Sequence, residues 1–263
     1  MGAIDTRYGK IGLAELGSGQ PTPIIFLHGV GSGKAVWEPQ LSHFGRTRRA
    51  IAFDFPGFGD SDPLPDATRD DFAFSILAAM DALGIEQAHV CGLSMGGVVA
   101  IAMHAAAAGR CASLILADTF ARHPDGNGIY SRSLEASRTI GLRALAEARV
   151  DFLLGSATSP SLRAETIETM AAIDPDAYVI GARAVWLAEQ QERAADIRAP
   201  TLVLCGEEDR ITPPALSEEL AGLIPGARLE LIPASGHLAN AEQPEAFNAA
   251  IDRFLAEVER NFP

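Results

Sequence analysis

The sequence predicts an α/β protein: a mostly parallel central sheet flanked by helices, with an inserted helical cap. Three observations carry this reading. Six short runs are apolar at nearly every position, helical patterns separate them, and runs of that kind cease between about Phe120 and Arg198. Near-continuous apolar strands are those buried on both faces, and their alternation with helices marks a parallel sheet covered on both sides. Loops beyond the C-terminal ends of such strands are where these sheets hold their sites.

The runs are, in order, Ile24-Ile25-Phe26-Leu27, Ala50-Ile51-Ala52-Phe53, Ala88-His89-Val90-Cys91, Leu114-Ile115-Leu116-Ala117, Leu202-Val203-Leu204-Cys205 and Leu229-Glu230-Leu231-Ile232. The first leads into His28-Gly29-Val30-Gly31-Ser32-Gly33, whose glycines free the backbone to turn amides inward. The third leads into Gly92-Leu93-Ser94-Met95-Gly96 and then an almost wholly apolar helix through Val98, Val99, Ile101 and Met103. Strand, Gly-x-Ser-x-Gly and helix together expose a serine on a sharp turn, with Gly92 and Gly96 placed where strand and helix approach. After Phe120, Ala-, Arg- and Glu-rich helical patterns break at Gly155, Pro160 and Pro175, and Ala199-Pro200 marks the return to the sheet. The expected division is a core of residues 1–119 and 199–263 and a helical cap of residues 120–198.

Composition limits the partners. With 263 residues, 48% of them hydrophobic, the chain buries a sizeable core as one domain with an inserted lobe. A net charge of −13 argues against a nucleic-acid surface and disfavours long-range capture of polyanions. No apolar stretch reaches the roughly 20 residues of a membrane span, and the first residues lack a signal-peptide pattern, so the expected location is cytoplasmic and off the membrane. Cys91, Cys111 and Cys205 have no metal-type spacing and read as buried thiols, so neither metal nor cofactor is expected.

A serine hydroxyl needs a base, and the base needs a carboxylate to hold its tautomer. His237 lies in Pro233-Ala234-Ser235-Gly236-His237-Leu238, directly after the last strand, whereas His43, His104 and His123 lie in no comparable turn. Asp209 follows the strand before it, in Gly206-Glu207-Glu208-Asp209; Asp118, after Leu114–Ala117, is the competing acid. The order Ser94, Asp209, His237 is that of the Gly-x-Ser-x-Gly sheet hydrolases. Oxyanion donors are expected from the amide of Met95, just after the serine, and from Val30 in the first loop. Gly33-Lys34 is no phosphate loop, since that motif needs Gly and Ser or Thr where His28 and Ala35 stand. His28 reads instead as a hydrogen-bonded residue of its loop.

Together with Asp54-Phe55-Pro56-Gly57-Phe58-Gly59-Asp60-Ser61, these segments resemble the α/β-hydrolase superfamily over almost the whole chain. Gly-Leu-Ser-Met-Gly-Gly and the segment His237-Leu238-Ala239-Asn240-Ala241-Glu242-Gln243-Pro244 are similar to the 3-oxoadipate enol-lactonase branch and its carboxylesterase neighbours. The resemblance implies the α/β-hydrolase fold and cofactor-free attack of Ser94 on a small ester or lactone, an acyl-enzyme, and its hydrolysis by water that His237 activates. A carboxylate-bearing substrate would need a cation, offered in the cap by Arg122, Arg132, Arg138 and Arg183. Tyr130, Trp186 and Leu187 offer an apolar pocket wall instead. Alternatives for the same residues are C–C bond hydrolysis, perhydrolysis, acyl transfer or ligand sensing without turnover.

Overall fold

The six apolar runs lie side by side in one sheet. In the computed structural model, which describes residues 2–261, the strands are β1 (Gly2–Thr6), β2 (Gly9–Leu16), β3 (Ile24–Leu27), β4 (Ala50–Phe53), β5 (Ala88–Leu93), β6 (Cys111–Ala117), β7 (Thr201–Gly206) and β8 (Arg228–Ile232). Their order is β1-β2-β4-β3-β5-β6-β7-β8, parallel from β4 to β8. The antiparallel pairs β1–β2 and β2–β4 are an addition to the six apolar runs. No residue of β1 is buried and β2 is buried only in part. β1 forms the sheet edge and β2 beside it is only partly buried, so neither carries a continuous apolar run and the run pattern passes over both.

Period-two alternation divides the sheet residues between two cores. Ile25, Leu27, Val90, Leu114 and Leu116 face one; Ile24, Phe26, Cys91, Leu93 and Ile115 face the other. Helices α2 (Arg69–Ala82), α3 (Met95–Ala106) and α9 (Pro214–Leu223) cover the first face through Phe72, Ile76, Val98 and Leu220. Helices α1 (Glu38–Phe44) and α11 (Pro244–Asn261) cover the second through Leu41, Phe44, Phe247 and Phe254. A one-turn helix, α10 (Ala239–Glu242), precedes α11.

Between β6 and β7 lie α4 (Gly126–Thr139), α5 (Gly141–Leu153), α6 (Pro160–Ala171), α7 (Pro175–Trp186) and α8 (Gln191–Ala195). The prolines that break the helical pattern open helices, because a missing N–H costs nothing at the first position. Ser159 caps α6, accepting from the Leu162 N–H at 3.2 Å, and Asp174 caps α7, accepting from the Asp176 and Ala177 N–H groups at 2.9 and 3.1 Å. Among the described residues no helix is long and apolar enough to cross a membrane. The chain runs from β3 outward to β4, then returns past β3 to β5 and on to β8. The loops after β3 and β5 therefore part at a switch point, which opens a crevice at the strand ends.

Candidate active site

Ser94 stands alone between β5 and α3, with φ of 54° and ψ of −113°. A non-glycine residue is strained there, and persists only when its surroundings hold it. They do. Its N–H donates to Ala117 O at 2.9 Å, and its carbonyl accepts from the Gly97 and Val98 N–H groups at 3.0 and 3.1 Å and from the Thr119 hydroxyl at 2.8 Å. The turn also requires two residues without side chains. A Cβ at Gly92 would lie 2.3 Å from the carbonyl carbon of Gly96, and one at Gly96 would lie 2.1 Å from Leu27 O.

The loop after β8 brings in His237. Its N–H donates to Leu153 O, at the end of α5, at 2.7 Å. Its Nδ1 lies 2.8 Å from Asp209 Oδ2, an oxygen that also accepts from the Thr212 hydroxyl at 2.7 Å. Asp209 Oδ1 accepts from the N–H groups of Ile211 and Thr212 at 2.8 and 3.0 Å. Burial alone would raise this carboxyl, but the His237 charge and the bonds from His237 and Thr212 hold it below the ordinary carboxylate range. An ionised Asp209 selects the His237 tautomer with the proton on Nδ1, leaving the Nε2 lone pair free.

Asp118 is placed differently. Its Oδ1 accepts from the Gly206 N–H at 2.8 Å, and its Oδ2 is buried without a partner. Burial, then the charge of Asp209, raise its carboxyl well above the ordinary value and so favour its neutral form. Asp118, Cys205 and Asp209 converge within 4.8 Å, but burial and Asp118 push the Cys205 thiol far up. Cys91 and Cys111 are likewise buried thiols.

A family model described as alpha/beta hydrolase fold matches residues 22–244. The chain belongs to the alpha/beta hydrolase fold family. It is 30% identical over 259 residues to 3-oxoadipate enol-lactonase 1 of Acinetobacter baylyi, covering 97% of each chain. A thermophilic esterase from Thermogutta terrifontis, solved with malate bound, superposes with a TM-score of 0.90 at 30% identity, over 97% of this chain and 98% of that one. The enol-lactonase from Burkholderia xenovorans LB400 superposes with a TM-score of 0.90 at 27% identity, over 97% and 99%. This chain is a hydrolase of that family.

In this hydrolase Ser94 and His237 line one cavity of about 90 Å³, together with Val30, Met170, Tyr178 and Trp186. The main-chain N–H groups of Val30 and Met95 have no backbone acceptor among the described residues. Met95 is the first residue of α3, where helical N–H groups have no partner within the helix. His28 holds the Val30 loop: its Nδ1 lies 2.7 Å from Gly29 O and its Nε2 accepts from the Phe55 N–H at 3.1 Å. Burial keeps this imidazole below its ordinary pKa, and therefore neutral. Lys34 binds Asp54 and Asp60 at 2.5 and 2.6 Å, so its ammonium is already neutralised within the protein.

Two pocket expectations need correction. Tyr130 lines a separate groove with Pro56, Pro65 and Arg183, and Leu187 caps the end of α7, where its carbonyl accepts from Arg69 at 3.1 Å. Of the three apolar candidates, Trp186 alone lines the Ser94 cavity. The four proposed arginines also lie off its wall. Arg122 and Arg132 pair with Glu189 and Asp125, Arg183 donates to the carbonyls of Asp66 and Ala67, and Arg138 is exposed. Which helix residues face inward is set by the packing of several helices together, and spacing along one helix does not reveal it.

Two residues gain roles that the motif reading did not assign. Thr212, three residues beyond Asp209, bonds its carboxylate. Glu242, five residues beyond His237, accepts from the N–H groups of Gly155, Gly236 and Leu238 at 2.6, 2.9 and 3.2 Å and from the Thr158 hydroxyl. It thereby ties the His237 loop to the segment after α5. The Asp-x-x-Thr and Gly-His-x-x-x-x-Glu spacings were the available signals.

Proposed function

We propose that the protein hydrolyses small carboxylic esters or lactones through an acyl-enzyme on Ser94, with residues 120–198 acting as a cap over the site. Ser94 Oγ attacks the carbonyl carbon while its proton passes to His237 Nε2, and Asp209 stabilises the imidazolium that forms. The carbonyl electron pair moves onto oxygen, where the N–H groups of Val30 and Met95 receive the charge. When the tetrahedral intermediate collapses, the bond to the leaving oxygen breaks and His237 returns the proton to it. In a lactone that oxygen stays tethered to the acyl chain. Water then gives a proton to His237 and attacks the acyl carbon, and Ser94 leaves with that proton.

The observation that carries this reading is the Asp209–His237 hydrogen bond of 2.8 Å, made by a histidine that lines the same cavity as a serine held at φ of 54°. The likeness to an enol-lactonase and an esterase supports it further. The cavity bears on acyl size. At roughly 10–15 Å³ of such space per water, about 90 Å³ holds a short chain. The test is release of p-nitrophenol from p-nitrophenyl butyrate by the wild type and by Ser94→Ala. Loss of the nucleophile is expected to lower turnover on the order of 10⁴- to 10⁶-fold; equal rates would refute the mechanism.

A further inference from the structure

The loops that carry Asp209 and His237 are both fastened to one stretch of the inserted helices. It covers residues 151–158, from the last turn of α5 to the approach to α6. From the loop after β8, the His237 N–H donates to Leu153 O at 2.7 Å. The N–H groups on either side, those of Gly236 and Leu238, donate to Glu242 Oε1 at 2.9 and 3.2 Å. Glu242 Oε2 accepts from the Gly155 N–H at 2.6 Å and from the Thr158 hydroxyl at 2.5 Å. From the loop after β7, Glu208 accepts from the Ser156 N–H and hydroxyl at 2.7 and 3.1 Å. Arg210 donates to Asp151 O at 2.5 Å and to Leu154 O at 3.3 Å.

Three consecutive N–H groups centred on His237 are therefore held by one carboxylate and one carbonyl. Both sequence neighbours of Asp209 bind the same stretch. Packing leaves it little slack: a Cβ at Gly155 would lie 2.9 Å from Gly236 N, and one at Gly236 would lie 2.6 Å from Gly155 N. Loops are ordinarily the mobile part of a fold, whereas a catalytic group has to be held within about 0.5 Å of its working geometry. Neither Glu242 nor any of residues 155–158 lines the Ser94 cavity, although Val150 and Leu153 of α5 and Leu162 and Thr166 of α6 do. Glu242 is thus placed to act on His237 without touching what the cavity holds.

Resting on the reading of His237 as the base, we propose that Glu242 is a positioning residue that fixes His237 against residues 151–158. The inserted helices then serve as the mount that aligns the Asp209–His237 pair as well as the wall of the cavity. The seating of α5 and α6 sets the rate of proton transfer, and not only which acyl groups fit.

The test measures kcat and KM for p-nitrophenyl butyrate in the wild type, Glu242→Gln and Gly155→Ala. Rates are taken per active site, counted by the p-nitrophenol released when diethyl p-nitrophenyl phosphate blocks Ser94, so misfolded protein drops out. Glutamine keeps one acceptor oxygen and turns an NH₂ group on two of the four donors. Alanine at position 155 presses on Gly236 N from outside the cavity. Each change is expected to lower kcat about 10- to 100-fold, on the scale of a misplacement of about 1 Å, and to leave KM within about threefold of the wild type. In the Asp209→Asn background the pairing of His237 is already lost, so Glu242→Gln is expected to cost less than about threefold more. A wild-type kcat in either variant, a loss confined to KM, or a full further loss in the Asp209→Asn background overturns the positioning role and leaves the Ser94 mechanism standing. A wild type that is neither titrated by the phosphate ester nor active on the butyrate overturns both.

Discussion

Asp118 and Asp209 place carboxylate oxygens within 4.8 Å of each other, both buried, and their surroundings push the two carboxyls in opposite directions, Asp118 up and Asp209 down. Two buried like charges this close repel strongly, so the proton settles on the carboxyl with less support. Asp209 has His237, two N–H groups and the Thr212 hydroxyl, whereas Asp118 has the Gly206 N–H on one oxygen and nothing on the other.

This division of charge predicts opposite results for two isosteric changes. Asp209→Asn is expected to lower kcat on p-nitrophenyl butyrate by about 10⁴-fold, because an amide no longer selects the tautomer or stabilises the imidazolium. Asp118→Asn replaces a group whose surroundings favour the neutral form and which makes no bond to His237, and turnover is expected to stay near that of the wild type. The stability sign also follows. A raised folded-state pKa means that the unfolded chain loses its proton first, so wild-type stability falls as pH rises above the ordinary carboxylate value. The melting temperature of Asp118→Asn relative to wild type is therefore expected to rise from pH 4 to pH 7. An Asp118→Asn that loses turnover while Asp209→Asn keeps it would exchange the two roles.

The nucleophile turn makes a prediction about packing. In Gly96→Ala the new methyl would meet Leu27 O at 2.1 Å, a backbone atom that cannot swing aside. The forced shift is expected to cost about 1–3 kcal/mol or more, a fall of roughly 2–12 °C in Tm for a chain of this size. At Gly109 an added Cβ meets nothing within 4 Å, and Gly109→Ala serves as the control. Equal melting curves for the two variants would contradict the close approach of α3 to β3.

Acid sensitivity should centre on His89. It is 1% exposed on β5, its Nδ1 lies 2.8 Å from Ser113 Oγ, and its Nε2 lies 3.4 Å from Glu259 Oε1 without forming a well-aligned hydrogen bond. Burial, reinforced by the Arg48 charge, lowers its pKa to about 4. A depressed histidine leaves the folded state short of a proton that the unfolded chain binds below about 6.5, so stability is lost as pH falls from there toward 4. The expected loss between pH 7 and pH 5 is about 2 kcal/mol from this residue. Urea unfolding at the two pH values should show a smaller loss for His89→Gln, and an unchanged pH dependence would remove His89 as its source.

Much of the scaffold was legible because its signals are local. Apolar runs specify strands buried on both faces, and Gly92 and Gly96 mark the close approach that exposes Ser94. His237 and Asp209 were legible because each follows a strand end in a parallel sheet, where loops gather at one edge. The hairpin β1–β2 was not, since its solvated side erases the apolar run. Asp118 could not be separated from Asp209 by position, because both follow strands that end beside the serine. The hydrogen bond to His237 distinguishes them.

The sequence by itself determined the sheet, the strand-to-helix turn at Ser94 and the chain order of the serine, carboxylate and histidine, because those depend on backbone conformation over a few residues. Only the tertiary structure decided which carboxyl bonds His237 and is favoured in its charged form, and which helix residues enclose the cavity. Charge state depends on burial and on donors brought together from distant segments. The direction a helix residue faces depends on how several helices pack, which is why Arg149 and Tyr178 lie on the cavity wall while Tyr130 and Leu187 do not.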